Sequence, residues 1–203
     1  MKKQIFIATV CLFAVFALQA QVEDYNQKIN EFLKEKNYTK AIECYQKILE
    51  EDANNIDAHI GIGVIYREMC DYTKSNRYFE LALSLGSMNA AAYQNLGINY
   101  SELGKYTEAI SCYKKSILAD PSNAAVYSSM GTIYSLIKDF EAAIESYQQS
   151  LSLYPDNVDL YNLVAKYYME LNDKEHAIEN YQKAAQLGSK TAQEELQKLG
   201  QTW

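Results

Sequence analysis

Apolar and polar positions along most of this chain alternate with the period of a helix, in short stretches that come in pairs. Tyr93, Leu96, Gly97 and Tyr100 fall at i, i+3, i+4 and i+7, and Leu103 continues the stripe, so all five lie on one helix face. The stretch "GKYTEA" interrupts that pattern. Ala109, Ile110, Tyr113, Ser116 and Ile117 then mark one face of a second helix. Two short amphipathic helices with a tight turn between them cannot bury their apolar faces alone. They predict a helix hairpin that needs neighbours.

The neighbours are copies of the same hairpin. Shifted by 34 residues, the sequence matches itself. Tyr25, His59, Tyr93, Tyr127 and Tyr161 form one column; Phe32, Tyr66, Tyr100, Tyr134 and Tyr168 a second. Tyr45, Phe79, Tyr113, Tyr147 and Tyr181 form a third, and Tyr38, Tyr72, Tyr106, Phe140 and Lys174 a fourth. Fifteen of the 18 tyrosines sit in these columns, which makes them packing residues rather than a catalytic set. Gly63, Gly97, Gly131 and Ala165 share a small-residue column, as do Ala41, Ser75, Ala109, Ala143 and Ala177, placed where helices approach closely. Asn55, Asn89, Asn123, Asn157 and Thr191 close the copies, the asparagines supplying acceptors for the next helix start. Pro121 and Pro155 stand between copies, where the helix must stop.

With these columns in view, "AAYQNLGINYSELGKYTEAISCYKKSILADP" resembles the tetratricopeptide repeat family, with Tyr93 where that family usually has Trp. The resemblance implies an all-α, right-handed solenoid of five helix-turn-helix hairpins, residues 22–55, 56–89, 90–123, 124–157 and 158–191. Residues 192–203 are expected to form a capping helix and tail, with Leu196 and Leu199 on one face. The end copies depart most: Ile29 replaces the small residue, Ala53 the proline, and Lys174 an aromatic. In this family the first helices line a concave groove that binds peptide segments. Carried over by register, the groove residues are Asn26, Asn30, Ile60, Val64, Gln94, Ile98, Ser128, Thr132, Asn162 and Lys166, extended by Arg67, Ser101, Ser135 and Met169. Asparagine and glutamine side chains there are expected to pair with the backbone of a bound segment, and Ile60, Val64 and Ile98 to hold an apolar side chain. The alternative is that these are simply solvated helix faces. The family's carboxylate clamp is not reproduced: Ile60 and Val64, Gln94 and Ile98, Ser128 and Thr132 stand where it needs lysine and asparagine.

The first twenty residues break the pattern. "MKK" is followed by an apolar run from Ile5 to Leu18, then "QA" and the polar "QVEDYN". Basic start, short apolar middle and small residue before a polar stretch make a secretory signal peptide, residues 1–20, cut after Ala20 or, in the competing choice, after Ala17. The run is short for a permanent membrane anchor, and Cys11 lies mid-run, unlike a lipid-modified cysteine. Export points to a bacterial periplasm or cell envelope. Losing two lysines and no acid takes the formal net charge from −7 to −9, a poor match to nucleic acid or anionic lipid. Three cysteines remain, Cys44, Cys70 and Cys112, at positions too far apart in stacked hairpins for a bridge, so three free, partly buried thiols are expected.

No catalytic, cofactor-binding or metal-binding constellation emerges. His59 occupies an aromatic column, His176 an outer helix position, and two such histidines make neither a zinc site nor a Ser/His/Asp relay. "GIGVIY" lacks the third glycine of a dinucleotide loop, and "DANNID" lacks oxygen ligands at two positions of a calcium loop. "NYT" at Asn37 and "NYS" at Asn99 are short enough to arise by chance. The sequence therefore reads as a non-enzymatic, exported scaffold that binds a peptide or protein segment in a concave groove, with no cofactor. The alternative is a structural subunit of an envelope complex that assembles through its convex face or ends.

Overall fold

The computed structural model describes residues 21–86 and 88–203; the apolar run and both cleavage points lie outside the described residues. The described residues form α-helices and no strand. Helix α1 covers residues 21–34. It is followed by α2 (Tyr38–Glu51), α3 (Ile56–Glu68), α4 (Tyr72–Ser84), α5 (Ala90–Glu102) and α6 (Tyr106–Ala119). Then come α7 (Ala124–Leu136), α8 (Phe140–Leu153), α9 (Val158–Glu170), α10 (Lys174–Gln186) and α11 (Lys190–Lys198). The chain divides between Ser87 and Met88 into two compact bodies, one holding α1–α4 and the other α5–α11. In the first, α3 packs on α4 and α2 on α3. In the second, α5–α6, α7–α8 and α9–α10 are hairpins, joined through α6–α7 and α8–α9, with α11 against α10.

Each helix start is specified locally. Asn55, Asn89 and Asn157 cap α3, α5 and α9 by accepting from the backbone N–H three residues on, at 2.9, 2.9 and 3.2 Å; Asn123 caps α7 through Ala125 N–H at 3.2 Å. A second set precedes the hairpins' second helices: Asn37, Asp71, Asp139 and Asp173. Lys105 stands in that column before α6 and makes no side-chain cap. The turns inside the hairpins share one geometry, in which the residue after the turn donates back five positions, as Lys105 N–H does to the Tyr100 carbonyl at 2.8 Å and Asp139 N–H to Tyr134 at 2.9 Å. That geometry requires a left-handed residue, and only one of the five hairpins uses glycine for it: Gly104 at φ 71°, against Lys36, Cys70, Lys138 and Asn172 at 55–63°.

The small column has a specific tenant. A Cβ on Gly97 would lie 2.5 Å from the Tyr113 ring, and one on Gly63 or Gly131 would lie 2.8 Å from Phe79 or Tyr147. The glycines thus make room for the aromatic ring of the partner helix rather than for its backbone. Phe79, Tyr113 and Tyr147 are buried as a result. Serines stitch the same hairpins: Ser75 donates to the Gly63 carbonyl at 2.7 Å, Ser116 to Ala90 and Ser150 to Ala124, both at 2.9 Å. Helix α11 starts two residues before position 192, because Ser189 rather than Thr191 supplies the cap, accepting from Ala192 N–H at 3.1 Å. Its Ala192 and Leu196 are fully buried against Ala165, Tyr181, Ala184 and Ala185. Burying one such leucine contributes about 1.5–3 kcal/mol, enough to hold a nine-residue helix that would not form alone.

Candidate functional site: the first-helix faces

In the N-terminal body, Asn26 and Asn30 are exposed on α1, while Ile60, Val64 and Arg67 are half-buried on α3. The Arg67 guanidinium reaches Glu68 at 3.2 Å. In the C-terminal body the candidates fall on three helices: Gln94, Ile98 and Ser101 on α5; Ser128, Thr132 and Ser135 on α7; Asn162, Lys166 and Met169 on α9. Ile98 packs against the cluster around Tyr113, and Met169 against the one around Tyr181 and Leu196, so both are partly core.

Two amides on these faces, Gln94 and Asn162, hold bonds within the chain. Asn123, the cap of α7, donates its Nδ2 to Gln94 Oε1 at 3.2 Å. Asn162 donates to Ser189 Oγ, the cap of α11, at 2.9 Å, and accepts from it at 3.2 Å. Two repeats apart, the two side chains do the same work: each braces the cap that begins the next hairpin or helix. Part of each amide's hydrogen-bonding capacity is thus spent within the chain, while Gln94 accepts through Oε1 alone. Thr132 is engaged as well. Its hydroxyl donates to the Ser128 carbonyl at 3.0 Å and lies 3.2 Å from the Tyr147 hydroxyl. Ser135 donates to the Thr132 carbonyl at 2.8 Å.

Burial keeps Tyr113 and Tyr147 neutral. Burial pushes the Tyr113 hydroxyl up to about 12, against a lowering contribution from its bond to Ser129. Burial likewise raises Tyr147, with Thr132 opposing it. At the last hairpin neither pairing recurs: Lys166 stands relative to Tyr181 as Thr132 does to Tyr147, and Gln197 as Ser129 does to Tyr113. There Tyr181 lines a cleft of about 600 Å³ with Asp159, Asn162, Lys166, Thr191 and Glu195. Burial and then the Glu195 carboxylate hold the Tyr181 hydroxyl above its ordinary range. Leu163 lines the cleft as well, so it unites two predicted residues, Asn162 and Lys166, with five that sequence reasoning missed. No local pattern signals them, because they meet only through the packing of α10 against α9 and α11. Carboxylates, an ammonium and hydroxyls within one cleft offer both acceptors and donors to a polar ligand.

Elsewhere the chemistry is structural. The His59 ring packs beside Tyr78 with centroids 6.1 Å apart, and its Nε2 lies 3.1 Å from the Ala53 carbonyl, so Nε2 carries the proton. His176 pairs with Asp173 at 2.7 Å. Cys44, Cys70 and Cys112 are free; Cys44 and Cys112 are buried, whereas Cys70 is exposed, because its left-handed turn position points outward. Among the described residues, no group of three or more His, Cys, Asp or Glu side chains is placed to hold a metal ion, and no helix is long and apolar enough to cross a membrane.

Stacked hairpins of paired helices, asparagine-capped and glycine-keyed to an aromatic ring, define a helical-repeat scaffold. Profiles of the tetratricopeptide repeat match residues 30–55, 90–156 and 137–192. The chain belongs to the tetratricopeptide repeat family. Its fold is similar to that of MamA: one crystal structure aligns at TM-score 0.72 and 22% identity, covering 81% of this chain and 96% of that one. A second MamA structure aligns at TM-score 0.72 and 20% identity over 90% of this chain and 97% of its own. MamA of Desulfovibrio magneticus RS-1, from residue 41 to its end, aligns at TM-score 0.71 and 18% identity over 82% and 94%. At these identities the likeness concerns the fold. No curated protein matches the chain by sequence.

Proposed function

We propose that the chain is an exported interaction scaffold that binds an extended peptide or protein segment along its first-helix faces. The observation that carries this reading is the cleft between α9 and α11, where Asp159, Lys166 and Glu195 converge without an internal packing role for Lys166. It opens beside Tyr181, where Lys166 stands in place of the Thr132 hydroxyl that faces Tyr147. Because Gln94 and Asn162 serve the caps, recognition falls instead to Lys166, Thr191, Ser101 and Asp159. The signal-like segment places this activity in a periplasm or envelope, and the mature chain then begins at Gln21 or, with the alternative cleavage, at Leu18.

A specific observation favours a second reading, assembly through the second-helix side or the ends. Leu118 is 71% exposed on α6, and Leu153 and Tyr154 are exposed at the end of α8, all away from the first-helix faces. A photo-crosslinking amino acid placed singly at Ser101, Lys166, Leu118 and Leu153 in the native host separates the two. Adducts from Ser101 and Lys166 support the groove. Adducts confined to Leu118 and Leu153 replace it with assembly. The intact mass of the same purified protein tests export, and a soluble cytoplasmic form that retains Met1 overturns it.

A further inference from the structure

In four of the five repeats a basic side chain sits over the same ring. Lys40 Nζ is 5.3 Å from the centroid of Phe32, Lys74 Nζ is 5.1 Å from Tyr66 and Lys105 Nζ is 5.9 Å from Tyr100. The His176 ring stacks on Tyr168 at 5.1 Å. The rings are one 34-residue column, and so are three of the bases: Lys40, Lys74 and His176. The remaining members of that base column are Glu108 and Ala142. Repeat three, with Glu108, seats Lys105 over its ring from the turn and forgoes the helix cap in that position. Repeat four has Ala142, with Asp139 in the turn, and among the described residues no cation or ring lies over Tyr134.

What repeat four has in its place is a cleft. Between α6 and α8, Tyr127 and Tyr134 floor an opening of about 340 Å³ walled by Lys114, Ala142 and Glu145. One repeat on, between α8 and α10, the same construction recurs with Tyr161, Tyr168, His176 and Glu179, and measures about 270 Å³. The two clefts coincide register for register; one carries its base and the other does not. Glu145 makes no ion pair among the described residues, and Lys114, on the opposite wall, lies neither within ion-pair distance of it nor over the ring.

We propose that the α6–α8 cleft is a docking seat for a lysine or arginine side chain of a partner protein, held over the Tyr134 ring with Glu145 as its counter-charge. The chain shows what the ring accepts, since four equivalent rings hold a base at 5.1–5.9 Å. A cation is drawn to the negative face of an aromatic ring, and more so when partly desolvated in a cleft. The negative formal charge of the chain favours the approach of a basic partner. At about 100° per residue, Tyr127, Met130 and Tyr134 lie on a different face of α7 from Ser128, Thr132 and Ser135. The seat is therefore independent of the first-helix groove.

The test is an NMR titration of the full chain, labelled at tyrosine, with N-acetyl-arginine N-methylamide, and with the citrulline analogue as a neutral probe of the same shape. The Tyr134 ring signals are expected to move along a saturable curve with the arginine probe. Citrulline should bind about threefold more weakly or worse, as should the arginine probe to Glu145→Gln. Ala142→Lys, which restores the internal base, should abolish the shift at Tyr134. Ser152→Lys, the same charge at an exposed position of α8, should leave the affinity within about twofold. Equal weakening in Ala142→Lys and Ser152→Lys would mean general attraction and overturn the proposal. So would equal binding of both probes. A Tyr134 response that appears only in Lys114→Ala would also overturn it, since the chain's own lysine would then fill the seat.

Discussion

Repeats one and three carry the same kind of aromatic residue at the same register, yet pack it differently. In repeat three, Tyr113 lies against Gly97 of its own hairpin and is 2% exposed. In repeat one, Ile29 fills the small position, itself buried, and the end of the Tyr45 ring meets Gly61 on α3 instead. Tyr45 is consequently only half-buried. A repeated column specifies a residue type, but the space left by the partner helix decides which neighbour that residue touches.

The comparison breaks most severely if Ile29 is cut back. Ile29→Ala should destabilise the chain by about 2–5 kcal/mol in urea unfolding, through lost burial and the cavity left behind. A loss under about 1 kcal/mol would mean that Tyr45 swings back to fill the site as Tyr113 does. Next in size is a contrast between two glycines. Gly97→Ala pushes a methyl into the buried Tyr113 ring and should cost about 1–3 kcal/mol. Gly61→Ala meets only the far end of the half-buried Tyr45 ring, and its gain in helix propensity of about 1 kcal/mol should leave it near neutral. Equal costs at the two positions would erase the distinction between the repeats.

A smaller effect separates the turns. Lys138 holds the left-handed position that repeat three gives to Gly104. Lys138→Gly should raise stability by about 0.5–1 kcal/mol, the strain relieved less the glycine's added chain entropy. Thermal unfolding in parallel with Gly104→Lys, expected to move oppositely, checks it.

The smallest effect concerns pH, and it contrasts repeats two and five. Asp71 pairs with Lys74, whereas Asp173 pairs with His176 in the same geometry. The hydrogen bond to Asp173 and its charge raise His176 above 6.5, and the bonds from His176 hold Asp173 below its ordinary value. The raised histidine contributes stability that is complete below its ordinary pKa and is lost as pH rises through the folded value. The depressed carboxylate contributes above its ordinary range and loses that contribution as pH falls through its lowered folded value. The Asp173–His176 pair is thus strongest between those two limits, while Asp71–Lys74 persists through neutral pH. An NMR titration should place the His176 midpoint above 6.5 and return it toward 6.5 in Asp173→Asn. An unchanged midpoint in that variant would show that the pair carries no charge coupling.

Much of the scaffold was legible without coordinates. Tyr93, Leu96, Gly97 and Tyr100 announced a helix face by spacing alone, and Asn55, Asn89, Asn123 and Asn157 announced the next helix start. Both signals are local: period and capping depend on residues within a turn or two of each other. The second set of caps, Asn37, Asp71, Asp139 and Asp173, was open to the same reasoning, since each precedes a helix in register. The candidate groove was less legible. Gln94 and Asn162 look like open recognition amides in sequence, and only packing shows them bound to Asn123 and Ser189, 29 and 27 residues away.

By itself, then, the sequence determined the element type, the hairpin period, the identity of the helix starts and the aromatic columns, because each rests on neighbours close along the chain. Tertiary structure alone decided which ring each glycine admits, that Ser189 rather than Thr191 starts the last helix, and where clefts open beside Tyr181 and Tyr134. Those outcomes depend on the volume left between helices many residues apart. A one-residue difference such as Ala142 in place of lysine leaves a cleft without its base only because two second helices, α6 and α8, stand on either side of it.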